Sequence, residues 1–205
     1  MTEDSRVPVS LSLDDWLDRL SQRGGEPGGG AASGVMLAIG AALLHMVAAY
    51  TPEDALAQHS GRSSVELRAR ALHAAEEDGV RSAALGAALA SADSPERDGR
   101  IVAAGTAGAE SSVSLVEIGV ALAEELRILA DRGNPHLVAD VAVAAEAIGA
   151  GLGGALTNLR ACLALTRRHV PEGGADVPGD GDRVVDRGAS VRAEIALLAR
   201  VVEER

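Results

Sequence analysis

The chain has 205 residues, a formal net charge of −11, 40 alanines, no lysine, no phenylalanine, and Trp16 and Tyr50 as its only large aromatic residues. An acidic balance without a basic stripe argues against a nucleic-acid partner, and the absence of lysine excludes Schiff-base catalysis through that side chain. A core of Ala, Leu, Val and Gly cannot span wide gaps, so helices must approach closely. The chain therefore reads as all-α, a multi-helix bundle with small-residue interfaces, forming a single domain over 1–205.

In chain order, Ser12 and Asp15 resemble a capping box ahead of Leu13, Trp16, Leu17 and Leu20, which predicts a short amphipathic helix ending near Gly24. Pro27-Gly28-Gly29-Gly30 then leads into an uncharged run from Ala31 to Tyr50. Three glycines are free to adopt positive φ, and the helix start behind them offers unpaired N–H groups and a dipole that favour an anion. The same segment also reads as a flexible linker before a buried helix. The uncharged run is long enough for a membrane span, but it is rich in Ala and Gly, carries His45 and has no basic cluster after it. A central helix of the bundle is the better reading.

Thr51-Pro52 stops that helix, because proline disfavours helical geometry in the residue before it. Ser63 or Ser64 is expected to cap a third helix running to about Ala92. Ser94-Pro95 restarts the chain, and helical pattern continues to Arg132, with a break near Gly105 to Ser112 left open. Gly133-Asn134-Pro135 is a stop, followed by a long helix from about His136 to His169. Residues 171–188, rich in Gly, Asp and Pro, read as a flexible, solvated loop, and Ala189 to Glu203 as a final amphipathic helix.

Asp140 falls in the first turns of the fifth long segment, where the helix dipole favours a carboxylate. Asn158 follows 18 residues later, on the same face but about 27 Å away along one helix. Ala144, Ala147, Gly151, Gly154 and Ala155 lie between them and let another helix come close. A two-fold axis near the middle of this stripe would bring Asp140 of one chain towards Asn158 of another, so a site could be shared between subunits or with an antiparallel neighbour. Taken singly, Asp140 reads equally as a helix-start charge and Asn158 as a satisfied core amide.

Together these residues carry a resemblance. Pro27-Gly28-Gly29-Gly30 with Ala31-Ala32, Leu44-His45-Met46-Val47, Thr51, Gly133-Asn134, Asp140 and Asn158-Leu159-Arg160 resemble the cyclodeaminase/cyclohydrolase family, in order, from Trp16 to about Leu165. The resemblance implies an all-helical homodimer acting on a one-carbon tetrahydrofolate. It would hydrolyse methenyltetrahydrofolate to the formyl form, or cyclise formiminotetrahydrofolate with loss of ammonia, with no bound metal or redox cofactor. It implies Asp140 as general base or cation-stabilising carboxylate, with Asn134 and Asn158 orienting substrate or water. Pro27, Gly28, Gly29 and Gly30 would hold an anionic part of the ligand, with Arg160 as a helper. Asp78 falls where the family tends to carry an acidic residue, although Glu76-Glu77-Asp78 also reads as a solvated charge run.

The chain departs from the family pattern in three places. Pro52-Glu53-Asp54 stands where lysines are usual, no aromatic residue follows Asp78, and Ala139 replaces the serine before the aspartate. Two other functions therefore stay open: an enzyme of this fold acting on a non-folate imine, amidine or cyclisation substrate, and a non-catalytic helical dimer that binds a ligand or partner.

His45 shares a helical face with Gly34, Ala38, Ala41 and Ala48. An imidazole there suits acid–base work, or reads as a buried core histidine. The five histidines show no metal-ligand spacing, so no metal site is expected. One cysteine, Cys162, and the acidic start Met1-Thr2-Glu3-Asp4 point to a cytoplasmic protein without a signal peptide or membrane contact.

Overall fold

A computed structural model of the chain describes residues 8–23, 26–170 and 180–203. They form α1 (Leu13–Ser21), α2 (Gly29–Ala49), α3 (Ala55–Ala90), α4 (Arg97–Arg132), a 3-10 turn at Pro135–Leu137, α5 (Val138–His169) and α6 (Asp180–Glu203). No strand occurs among the described residues.

Helices α2 to α5 run alternately up and down as a four-helix bundle, α2 and α4 each packing on both α3 and α5. The antiparallel register follows from the glycines. On α2, Gly34 faces Ala71 and Ala75 of α3, and Gly40 faces Ala144 and Ile148 of α5. On α4, Gly108 faces Cys162 and Gly119 faces Leu152, both of α5. A Cβ at Gly34 would stand 2.8 Å from both the Ala71 carbonyl oxygen and the Ala75 methyl. Small residues thus set the helix spacing, and Leu37, Leu44, Leu115, Leu122, Leu126, Ile148, Leu152 and Leu159 fill the centre, each fully buried.

Two outer helices cover parts of this bundle. Ser12 caps α1, its hydroxyl accepting the Asp15 amide at 3.1 Å, and Trp16 packs with Ala31 of α2 and Ala75 of α3. Helix α6 lies along α5 and α4, burying Ile195, Ala199 and Val202. Two stretches, Gly29–Ala49 and Pro135–His169, are long and apolar enough to cross a membrane by length and composition. Over half of the first one's most apolar window is buried in the bundle.

Several boundaries differ from the sequence reading. Helix α3 starts at Ala55 because Asp54 accepts the amides of Leu56 and Ala57 at 3.0 and 2.9 Å. Ser64 is interior instead of a cap, its hydroxyl donating to the Ser60 carbonyl. Helix α4 is unbroken through Gly105–Ser112, since Gly105 and Gly108 are contact points for α5. Helix α6 begins at Asp180, so the stretch 180–188 is helical and not loop. Gly181 packs on Leu163, and Gly188 on Leu156 and Val116. The remainder of the expected loop, 171–179, lies outside the described residues.

Candidate active site

The N-terminus of α2 has no side-chain cap of its own. Gly28 is its N-cap, in extended backbone with φ of −116°, and Gly29 and Gly30 already belong to the helix. Positive φ is therefore not what these glycines supply. Gly30 is required for closeness: a Cβ there would come within 3 Å of all three carboxylate atoms of Asp78, which reaches across from α3. Asp78 accepts a hydrogen bond from the Ala31 amide, so a side chain from the neighbouring helix takes one of the open donors of α2.

Asp78 is 5% exposed, which overturns the reading of 76–78 as a uniformly solvated charge run. Glu76 is also half-buried and accepts the Val9 amide at 3.0 Å. The Ser111 hydroxyl of α4 donates to Asp78 Oδ1 at 3.2 Å and the Ser82 hydroxyl to Oδ2 at 3.3 Å. Burial pushes the Asp78 carboxyl above the usual carboxylate range, against the pull of Ser111, Ser82, the Ala31 amide and the Arg81 charge. A carboxyl so raised holds its proton more tightly than an exposed one, as groups that move protons at functional sites often do. Cys162 of α5 lies nearby. Its thiol is pushed up by burial first and by the Asp78 charge second.

Asn158 joins this end of the bundle. Its side-chain amide lies 3.7 Å from where a Gly29 Cβ would stand, and Pro27 is buried beside the same turn. Arg160, expected to help at the glycines, instead lines a cleft of about 420 Å³ between α5 and α6, with Glu146, Thr157 and Arg192. Asn158 and Arg160 are two positions apart on a helix, and so point to different neighbours.

The other sequence candidates sit at the opposite end. The Thr51 hydroxyl accepts the Asn134 amide at 3.0 Å and donates to the Val47 carbonyl at 2.9 Å. Asn134 caps the 3-10 turn, accepting the His136 amide at 2.9 Å, and its side-chain N–H donates to the Tyr50 carbonyl. Asp140 is half-buried in the first turn of α5. Within one chain, Asp140 and Asn158 are not brought together. The small-residue stripe between them is occupied by α2, with Gly151 against Leu37 and Ser33 and Gly154 against Ser33. The stripe thus receives an antiparallel helix of the same chain. His45 is exposed and not buried in the core, with Nδ1 3.1 Å from the Gly61 carbonyl.

Ser82 and Ser111 were missed in the sequence. Their only signal is a hydroxyl at a helical position otherwise occupied by small apolar residues, and the partner emerges only from the α3–α4 register. No group of three or more His, Cys, Asp or Glu side chains able to hold a metal ion occurs among the described residues.

A formiminotransferase-cyclodeaminase family profile matches residues 12–167. The chain belongs to the formiminotransferase-cyclodeaminase family. Among solved structures, the formiminotetrahydrofolate cyclodeaminase of Thermotoga maritima superposes with a TM-score of 0.80 at 22% identity, over 95% of this chain and 96% of that one. At that identity the superposition establishes a shared all-helical cyclodeaminase fold. No curated protein sequence matches the chain. The family match spans every candidate residue, from Pro27 to Arg160.

Proposed function

We propose that this family member is a cytoplasmic one-carbon tetrahydrofolate enzyme, its single domain hydrolysing methenyltetrahydrofolate to formyltetrahydrofolate or cyclising formiminotetrahydrofolate with release of ammonia. The observation that carries the reading is the buried Asp78 carboxyl on the Gly28–Gly30 helix start, beside Asn158, in a chain of this family. In the hydrolytic direction, water adds to the cationic methenyl carbon while a carboxylate takes its proton, and the tetrahedral adduct opens to the formyl product. In the other direction, the folate nitrogen outside the pterin ring attacks the formimino carbon carried by the ring nitrogen, loses its proton, and ammonia leaves, protonated by the same kind of group, to give the methenyl bridge.

Asp78 is the proton carrier in this reading, and Asp140 stabilises the cationic carbon from a second protomer. Two chains paired antiparallel across the outer face of α2 and α5 would provide that arrangement. Ile39 and Val143 are 49% and 57% exposed there, and one end of this helix pair carries Asn158 while the other carries Asn134 and Asp140. No metal or redox cofactor is needed for either direction.

A non-folate imine or amidine substrate is the second reading, and one observation favours it. Trp16 is buried against Ala31 and Ala75, and Tyr50 lies at the opposite end of α2, so neither stands as a stacking platform beside Asp78. The deciding experiment follows the near-ultraviolet band of methenyltetrahydrofolate with purified protein. Turnover above the uncatalysed rate, lost in Asp78→Asn and Asp140→Asn, supports the folate reading. No turnover and no folate binding by calorimetry would sink it and leave the non-folate substrate.

A further inference from the structure

Four grooves separate the bundle helices, and their coverage is unequal. Helix α1 packs on α2 and α3 near the glycine end, and α6 covers α4 and α5. No described helix covers the α3–α4 groove, which holds a cavity of about 340 Å³, within the size range of small-molecule sites. Its chemistry runs against the rest of the molecule. In a chain of net charge −11, this groove is lined by Arg70, His73 and Arg81, with Glu77 in the same lining and Glu110 beside Arg81.

The cations are distributed along the groove. Arg70 and Arg81 are 11 positions apart on α3, about 16 Å of helix. Arg81 donates to the Ala107 carbonyl at 2.7 Å and stands 3.5 Å from Glu110, which holds it towards the glycine end. Between the two arginines the lining is mixed, with His73, Ala74, Glu77, Ile118 and the Ser111 and Ser114 hydroxyls. Ser111 is also the donor to Asp78, so the middle of the groove is one hydrogen bond from the buried carboxyl.

We propose that the α3–α4 groove binds a small organic dianion, an elongated molecule with an oxyanion group at each end, one on Arg70 and the other on Arg81. Guanidinium groups recognise carboxylate and phosphate oxygens alike, and a pair at opposite ends of a groove selects for length, which a point ion does not have.

The test is calorimetric titration of the full-length protein with suberate, with hexane-1,6-bisphosphonate, and with octanoate and inorganic phosphate as controls. Suberate or the bisphosphonate is expected to bind at least ten-fold more tightly than octanoate, and which of the two binds identifies the end group. Arg70→Gln, at an exposed position outside the proposed reaction site, is expected to reduce the dianion to the octanoate level. Arg81→Lys should do the same, with circular dichroism checking that loss of the Ala107 contact leaves the helices intact. Absence of binding by both dianions, equal binding of octanoate or phosphate, or undiminished dianion binding by Arg70→Gln would each overturn the proposal. The readout is binding and not turnover, so it stands or falls separately from the one-carbon reading.

Discussion

Gly30 of α2 and Asp78 of α3 occupy one space: the carboxylate lies where a side chain at residue 30 would begin. A methyl at this position must displace the carboxylate or part the helices, and overpacking of this kind costs about 1–3 kcal/mol. Gly30→Ala is therefore expected to lower the midpoint of denaturant unfolding clearly. Gly29→Ala, whose Cβ would meet the Asn158 amide at an ordinary 3.7 Å, is expected to change stability by less than about 0.5 kcal/mol. Equal losses in the two variants would contradict the close approach.

The buried carboxyl makes stability depend on pH. The Asp78 pKa is raised in the folded chain, chiefly by desolvation, so the folded state holds this proton more tightly than the unfolded state does. Its contribution is fully present below the unfolded value of about 3.9 and is lost as pH rises through the folded value. Asp78→Asn keeps an oxygen acceptor and removes the charge. It is expected to be more stable than the parent at pH 7 and to lose that advantage below about pH 4. Parallel stability curves from pH 3 to 8 would show that the carboxyl is not ionised at a cost.

At the other end, Thr51 ties the last turn of α2 to the start of the α5 segment through its hydroxyl. Thr51→Val conserves shape while leaving the Asn134 amide without its acceptor. An unsatisfied half-buried amide costs about 1–3 kcal/mol, and thermal unfolding would register it. A shift indistinguishable from zero would mean that water replaces the hydroxyl.

A site shared across a two-fold axis has a quantitative signature. Mixing Asp140→Asn chains with Asn158→Ala chains should restore roughly a quarter of the wild-type rate, because half the dimers are mixed and one of their two sites is intact. No recovery after subunit exchange would count against the shared site.

Cys162 offers a chemical probe of the same region. Its thiol is half-buried against Gly108 and its pKa is raised, so alkylation at pH 8 is expected to run at least ten-fold slower than in the unfolded chain. Rapid labelling of the folded protein would mean that α4 and α5 open at this level.

Much of the molecule was legible from residue order. The Ser12 cap, the α2 stop at Thr51-Pro52 and the Gly133-Asn134-Pro135 break depend on local backbone chemistry, and all three fall where the spacing puts them. Readings went astray where glycine and serine were taken as interruptions. Ser64 bonds back to Ser60, Gly105 packs on Thr166 and Gly188 on Leu156, all inside helices. In a chain with so little bulk, a glycine marks where another helix touches, and that information belongs to the pair and not to the segment.

The sequence by itself determined the helical class and most of the helices, because composition, caps and period act over a few residues, and its motif residues carried the family resemblance. Only the tertiary structure decided which candidates meet. Asp78 joins the glycines and Asn158 because antiparallel α2, α3 and α5 bring distant positions to one level of the bundle. The same up-and-down register sends Asn134 and Asp140 to the far end, a separation that no local pattern encodes.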